Sequence, residues 1–245
     1  EGMHECYKRI PPLFHSLPEA PCELKEVEDY KAASSPQAYY YPAPEDGSRP
    51  GYYFLNTHDL SSRPLYNMTA LTLHEAVPGH HLQIAVAQSL KHLPYFRRGM
   101  ILTAYVEGWG LYSEYLGYEL DMYTDPYQRY GALSFEIWRA CRLVVDTGLH
   151  HKKWTREEAI DYLLTNTPNP ENDCIKAIER YIVMPGQATA YKIGMIKIQD
   201  LREDAKARLG DKFDIREYHD VVLKSGPLPL SVLEEQVNAW VESKG

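Results

Sequence analysis

The chain has 245 residues, 44% of them hydrophobic and 24% charged, with a net charge of -8 and a pI near 5.7. No apolar run approaches the ~20 residues that cross a bilayer, and no long basic run offers nucleic acid an electrostatic footprint, so neither a membrane span nor a nucleic-acid partner is expected. The length suits one domain over residues 1–245, because single cores stop growing at roughly 250 to 300 residues.

The chain opens Glu1-Gly2-Met3-His4, without the basic and apolar pattern of a signal peptide, and without an initiating Met it reads as a piece of something longer. Residues 1–60 read as irregular or short-stranded. Residues 23 to 32 alternate partly, and Gly51 to Asn56 is an aromatic run bounded by turn formers, so both are candidate strands of a small sheet. The segment between them, Pro42 to Pro50, is turn chemistry. Cys6, Cys22, Cys141 and Cys174 form no C-x-x-C pair and read as buried thiols, although Cys6 with Cys22 could pair.

From residue 61 to 245 the pattern is helical. Starts are marked by Ser62 before Pro64, Asp125 before Pro126, Asn169 before Pro170, and the capping boxes Thr155 to Glu158 and Ser231 to Glu234. Stops are marked at Gly148, Pro185-Gly186, Gly210 and Ser225-Gly226. The predicted class is therefore mainly α, with a small β-sheet or irregular region at the N-terminus.

The chemistry concentrates in Leu71-Thr-Leu-His-Glu-Ala-Val-Pro-Gly-His-His-Leu-Gln83. It invites comparison with H-E-x-x-H, which sets two imidazoles on one helix face around one zinc ion, but four residues after His74 stands Pro78. Pro78 lacks an N–H, disfavours helical angles at Val77, and is followed by the permissive Gly79. The helix is thus expected to break between Val77 and His80, with His74 closing one segment and His80 opening the next. In an unbroken helix His80 would sit about 120° from His74, and His81 about 10 Å along the axis, too far to share an ion. His80 is therefore the preferred second ligand and His81 the alternative. Glu75, beside the first ligand, is placed to take a proton from water. A solvated His-His pair with a surface Glu on a kinked core helix is the bland alternative.

A catalytic zinc usually has three protein ligands and an open position. Glu107, in the helical stretch Ala104 to Glu114, is the third candidate, with Glu114 competing; Gly108 and Gly110 would let two helices approach closely. Arg139, Arg142, Asp146 and His150 fall at helical spacing and read as surface salt links outside the site. His4, His15, His58, His92, His151 and His219 have no motif around them.

Four segments carry a family resemblance: Tyr40 to Gly51, His74-Glu-Ala-Val-Pro-Gly-His80 with Gln83, Glu107-Gly-Trp-Gly-Leu-Tyr112, and Met184-Pro-Gly-Gln-Ala-Thr-Ala-Tyr191. Together they resemble the bacterial family known as domain of unknown function 885, itself similar to the gluzincins, zinc peptidases with two histidines and a glutamate on the metal. The resemblance implies a helical metallopeptidase-like domain, favours His80 over His81, and matches the C-terminal half of a longer parent, some relatives of which carry lipoprotein signals that would place them at the cell envelope. In peptidases of this plan a later tyrosine or histidine donates to the oxyanion, which makes Tyr191 a candidate; Arg180 could pair with a substrate carboxylate or with a neighbouring acid.

The expectation is a zinc-dependent hydrolase of peptide or related amide bonds, with metal ligands His74, His80 and Glu107 and catalytic residues Glu75 and Tyr191. The competing readings are a non-catalytic helical binding module derived from such a site, and a metal-dependent esterase or deacylase. Oligomeric state is not readable from the chain.

Overall fold

Proline and glycine divide much of this chain into helices, and the packing of those helices sets the break around Pro78 against the middle of a later helix. The computed structural model describes residues 2–245. The fold is mainly α with one three-stranded sheet, as the helical periodicity from residue 61 onward predicts. Residues 2–9 are a correction to the irregular N-terminus: Gly2–Arg9 is helix α1, which buries Cys6, with Ile10 buried just beyond its end.

Strands β1 (Cys22–Glu26), β2 (Ala38–Tyr41) and β3 (Gly51–Leu55) form a sheet in the order β1-β3-β2. β1 runs parallel to β3 with Cys22 opposite Gly51, and β2 runs antiparallel to it with Ala38 opposite Leu55. The strand expected over 23–32 is shorter than that span, because Asp29–Ala32 turns into a short helix, α2. Cys6 and Cys22 are both buried and unbridged, as are Cys141 and Cys174.

The remaining helices are α3 (Met68–Glu75), α4 (His80–Ser89), α5 (Tyr95–Arg98), α6 (Thr103–Glu119), α7 (Pro126–His150), α8 (Arg156–Asn166), α9 (Glu171–Val183), α10 (Ala190–Leu209), α11 (Ile215–Lys224) and α12 (Leu230–Lys244). Several start where the sequence marks them. The Asp125 carboxylate caps α7, accepting from the backbone N–H groups of Tyr127 at 2.8 Å and Gln128 at 3.0 Å, with Pro126 in the first turn. Thr155 and Glu158 close a reciprocal capping box on α8. Others differ. Ser231 lies inside α12, which begins behind Pro229. Asn169 stands one residue outside the cap of α9, which is Pro170. Ser62 ends a 3-10 turn, with α3 starting only at Met68. Gly148 does not stop α7, which runs on to His150; glycine there makes room for the Trp154 ring, which a side chain would strike.

The core lies chiefly between α3, α6, α10, α11 and α12, with a second apolar cluster shared by α7, α8 and α9. Helices α6 and α10 pack at a backbone-to-backbone crossing. A Cβ on Gly108 would meet Gly194, and a Cβ on Gly194 would meet the Ala104 carbonyl and Gly108. That approach brings the middle of α6 under the break between α3 and α4.

Candidate metal centre

The break falls where Pro78 places it. Helix α3 ends at Glu75 and α4 begins at His80, with a cis Val77–Pro78 peptide bond between them. Gly79 is required sterically, since a Cβ there would collide with the carbonyls of Leu73 and His74. Two bonds pin the turn: the His81 backbone N–H donates to the Ala76 carbonyl at 3.1 Å, and the buried Trp109 indole N–H donates to the Pro78 carbonyl at 2.8 Å. Trp109 stands two residues after Glu107 on α6, so the helix that braces the turn also supplies the carboxylate.

The turn brings the His74 and His80 rings to 4.7 Å between centroids and nearly perpendicular. Glu107 Oε2 lies 3.7 Å from His74 Nε2 and 3.5 Å from His80 Nε2, and the three donor atoms sit within 4.8 Å of one another. Ligand atoms held tetrahedrally at about 2.0–2.2 Å from zinc are roughly 3.3 Å apart, so this spacing fits one ion with little adjustment. On α6, a Cβ at Gly110 would lie 2.7 Å from the His74 ring, so this glycine makes room for the imidazole.

The other ring nitrogens are already held. His74 Nδ1 lies 2.7 Å from Glu114 Oε1, and Arg139 holds that same oxygen at 3.2 Å. A carboxylate on the far nitrogen holds the Nδ1 proton and orients the ring so that Nε2 is the nitrogen facing His80 and Glu107. His80 Nδ1 faces Gln83 Oε1 at 3.4 Å. Glu114, the competing acid of the sequence reading, therefore stands behind His74. His81 turns away: its Nε2–H donates to the Ala20 carbonyl at 2.9 Å, and its Nδ1 accepts from the Tyr40 hydroxyl at 2.8 Å. Burial pushes the His81 imidazole down to about 4, keeping it neutral.

Charge in the cluster is strongly coupled. Burial opposes a charge on His74, yet the neighbouring Glu107 and Glu114 carboxylates outweigh it and lift the imidazole to about 10. Burial would likewise raise Glu107, but His74 and His80 hold it well below the carboxylate range. Glu75 goes the other way: burial raises it, and the attraction of His74 and His80 offsets only part of that. Glu75 is 7% exposed, so it is not a surface acid; it lines a cleft of about 290 Å³ that also reaches His74.

Tyr191, at the start of α10, lies across that cleft with its ring 6.2 Å from the His74 ring and close to parallel. Its hydroxyl oxygen accepts from Gln187 Nε2 at 3.2 Å, which leaves its own proton free to donate. Arg180 also lines the cleft, with its Nη2 donating to Gln187 at 3.2 Å.

The placement of the α7 row is a correction. Arg139 and Arg142 are 5% exposed and Asp146 4%, so none is a surface salt link. Arg139 backs Glu114, Arg142 lines the cleft, and Asp146 accepts the Gly186 backbone N–H, tying the loop after α9 to α7. A signal for this is present in the sequence. The three fall at i, i+3 and i+7, alongside the apolar Phe135, Trp138, Cys141 and Val145, so charge sits on the face that the helix must bury.

The solved structures to which the chain is similar include two bacterial proteins. One is a putative lipoprotein from Colwellia psychrerythraea, 47% identical, with a TM-score of 0.97 over 99% of this chain and 42% of the other. The second is a putative lipoprotein of unknown function from Shewanella oneidensis, 23% identical, with a TM-score of 0.77 over 96% of this chain and 45% of the other. This chain thus spans less than half the length of either. No helix among the described residues is long and apolar enough to cross a membrane, and no curated protein matches. The profile of a bacterial protein family of unknown function, DUF885, matches residues 1–237, and the chain belongs to that family.

Proposed function

We propose that the protein is a zinc-dependent hydrolase of peptide or related amide bonds, of the gluzincin-like kind. The observation that carries the reading is the convergence of His74 Nε2, His80 Nε2 and Glu107 within 4.8 Å, with His74 and Glu75 lining the same cleft. Two imidazoles and a carboxylate suit zinc, which when bound supplies a Lewis acid and lowers the pKa of water from 15.7 to about 7.

The protein's own groups divide the remaining work. Glu114 and Gln83 orient the imidazoles. Glu75, which lines the cleft beside His74, takes a proton from water and returns it to the leaving amine. Tyr191 offers a hydroxyl proton to the oxygen that gains charge as the carbonyl is attacked.

The test is a pair of measurements on protein purified without added metal. Elemental analysis is expected to give about one zinc per chain, and Glu75→Gln to keep that ion while losing about 10²–10⁴-fold in peptide hydrolysis. Full activity in Glu75→Gln would remove the mechanism. Absence of bound metal would favour the reading of a non-catalytic module.

A further inference from the structure

The cleft that reaches Glu75 and His74 is walled by cations in a chain whose net charge is negative. Arg63, Arg139, Arg142, Lys176 and Arg180 line it, against Glu75 and Asp173. Arg139 is neutralised by Glu114. Arg142 is not: it is 5% exposed, its Nε and Nη1 are buried without a hydrogen-bond partner, and among the described residues no carboxylate pairs with it. The rings of Trp138, Tyr191 and Tyr181 surround its guanidinium at 4.5, 4.6 and 5.6 Å. Aromatic faces hold a guanidinium in place but accept none of its in-plane N–H bonds, and of the surrounding groups the Tyr191 hydroxyl takes one, leaving Nε and Nη1 unpartnered. A guanidinium with unfilled donors matches a planar carboxylate, which takes two N–H bonds along one edge where Nη2 stands beside Nε or Nη1. Arg180 Nε, in the same wall, is also buried without a partner.

Position identifies the anion. Arg142 touches Tyr191, and Tyr191 lies against the His74 ring, so the free guanidinium stands one aromatic ring away from the candidate ligand. A residue of extended chain spans about 3.3–3.6 Å, which places an anion on Arg142 within a few residues of the bond under attack. The cleft, about 290 Å³, is at the small end of ligand pockets, roughly 300–1,000 Å³, and suits a chain end better than a long peptide.

We propose that Arg142 binds the free α-carboxylate of a peptide substrate, so that the protein removes residues from the C-terminus of peptides. The inference deepens the hydrolase reading, and the carboxylate subsite is testable without it. The probes are acetyl-Phe-Ala as the free acid, its C-terminal amide, and the amide acetyl-Phe-Glu-NH2, titrated calorimetrically into chelator-treated protein.

The free acid is expected to bind at least tenfold more tightly than the alanine amide, and Arg142→Met to abolish that difference while Arg142→Lys retains part of it. Should Arg142→Met fail to fold, the acid-to-amide comparison on the unaltered protein decides alone. Equal binding of acid and amide would overturn the proposal. So would binding of acetyl-Phe-Glu-NH2 as tight as the free acid, which points to an acidic side chain, or of inorganic phosphate as tight, which points to a general anion site. With zinc restored, longer peptides are expected to be shortened only when their C-terminus is free. Equal cleavage of acid and amide forms sinks the C-terminal specificity but leaves the peptidase standing. A preference for the free acid in binding, with no hydrolysis of either form, sinks the peptidase and with it the exopeptidase assignment, while keeping the carboxylate subsite.

Discussion

At the scale of single residues, the carboxylate behind His74 decides how well the candidate centre can work. Glu114 is 3% exposed and sits between His74 and Arg139, so it both orients the imidazole and neutralises a buried guanidinium. Glu114→Gln keeps the shape but weakens both contacts, and zinc affinity is expected to fall about 10–100-fold in chelator competition. The adjacent histidines offer a sharper contrast. His80→Ala is expected to remove the ion, whereas His81→Ala leaves zinc stoichiometry unchanged, because both nitrogens of His81 are engaged by Ala20 and Tyr40. Loss of zinc in His81→Ala with retention in His80→Ala would reverse the assignment. His74 and His80 are legible as candidates in the sequence because a proline and a glycine announce the break between them, Glu75 because it adjoins the first, and Glu107 because it stands beside glycines that let two helices approach. The partnership of Glu114 with Arg139 is not, since it joins α6 to α7 through a pairing that no local spacing encodes.

At the scale of elements, the crossing of α6 and α10 sets the height at which Glu107 meets the histidines. Gly194 lies against the Ala104 carbonyl and Gly108, with no room for a methyl group. Gly194→Ala is expected to push α10 from α6 and to cost about 1–3 kcal/mol, with a fall of roughly 2–4 °C in Tm for each kcal/mol. An unchanged Tm by calorimetry would mean that the crossing relaxes freely. Helix starts set by a local cap, such as Asp125 and the Thr155–Glu158 box, are legible because the bonds close within four residues. The Ser231–Glu234 pattern misleads, because Pro229 lets α12 begin one residue before Ser231. Helix α1 was unreadable for another reason: its eight residues hold few apolar side chains, and what secures it is the burial of Cys6 in the core.

At the scale of the whole molecule, a buried histidine outside the candidate centre makes stability depend on pH. His219 donates from Nδ1 to the Leu13 carbonyl at 2.8 Å and accepts at Nε2 from the Tyr112 hydroxyl at 2.9 Å, stacked on Phe14. Burial pushes it down to about 3, against roughly 6.5 in an unfolded chain. The unfolded state therefore binds its proton first. The neutral contact stabilises fully above about pH 6.5, and stability is expected to fall by about 1.4 kcal/mol per unit as pH drops from there towards 3. Urea titrations of the parent and of His219→Gln across this range measure it; equal slopes would assign the acid sensitivity elsewhere. By itself the sequence determined the helical class, the broken helix at Pro78 and Gly79, and the residue types able to hold a metal, because periodicity, caps and a missing N–H act within a few residues. Only the tertiary structure decided that Arg139 and Arg142 are buried, that His81 faces away, and that a cationic cleft opens beside Glu75, because each depends on which helix packs against which.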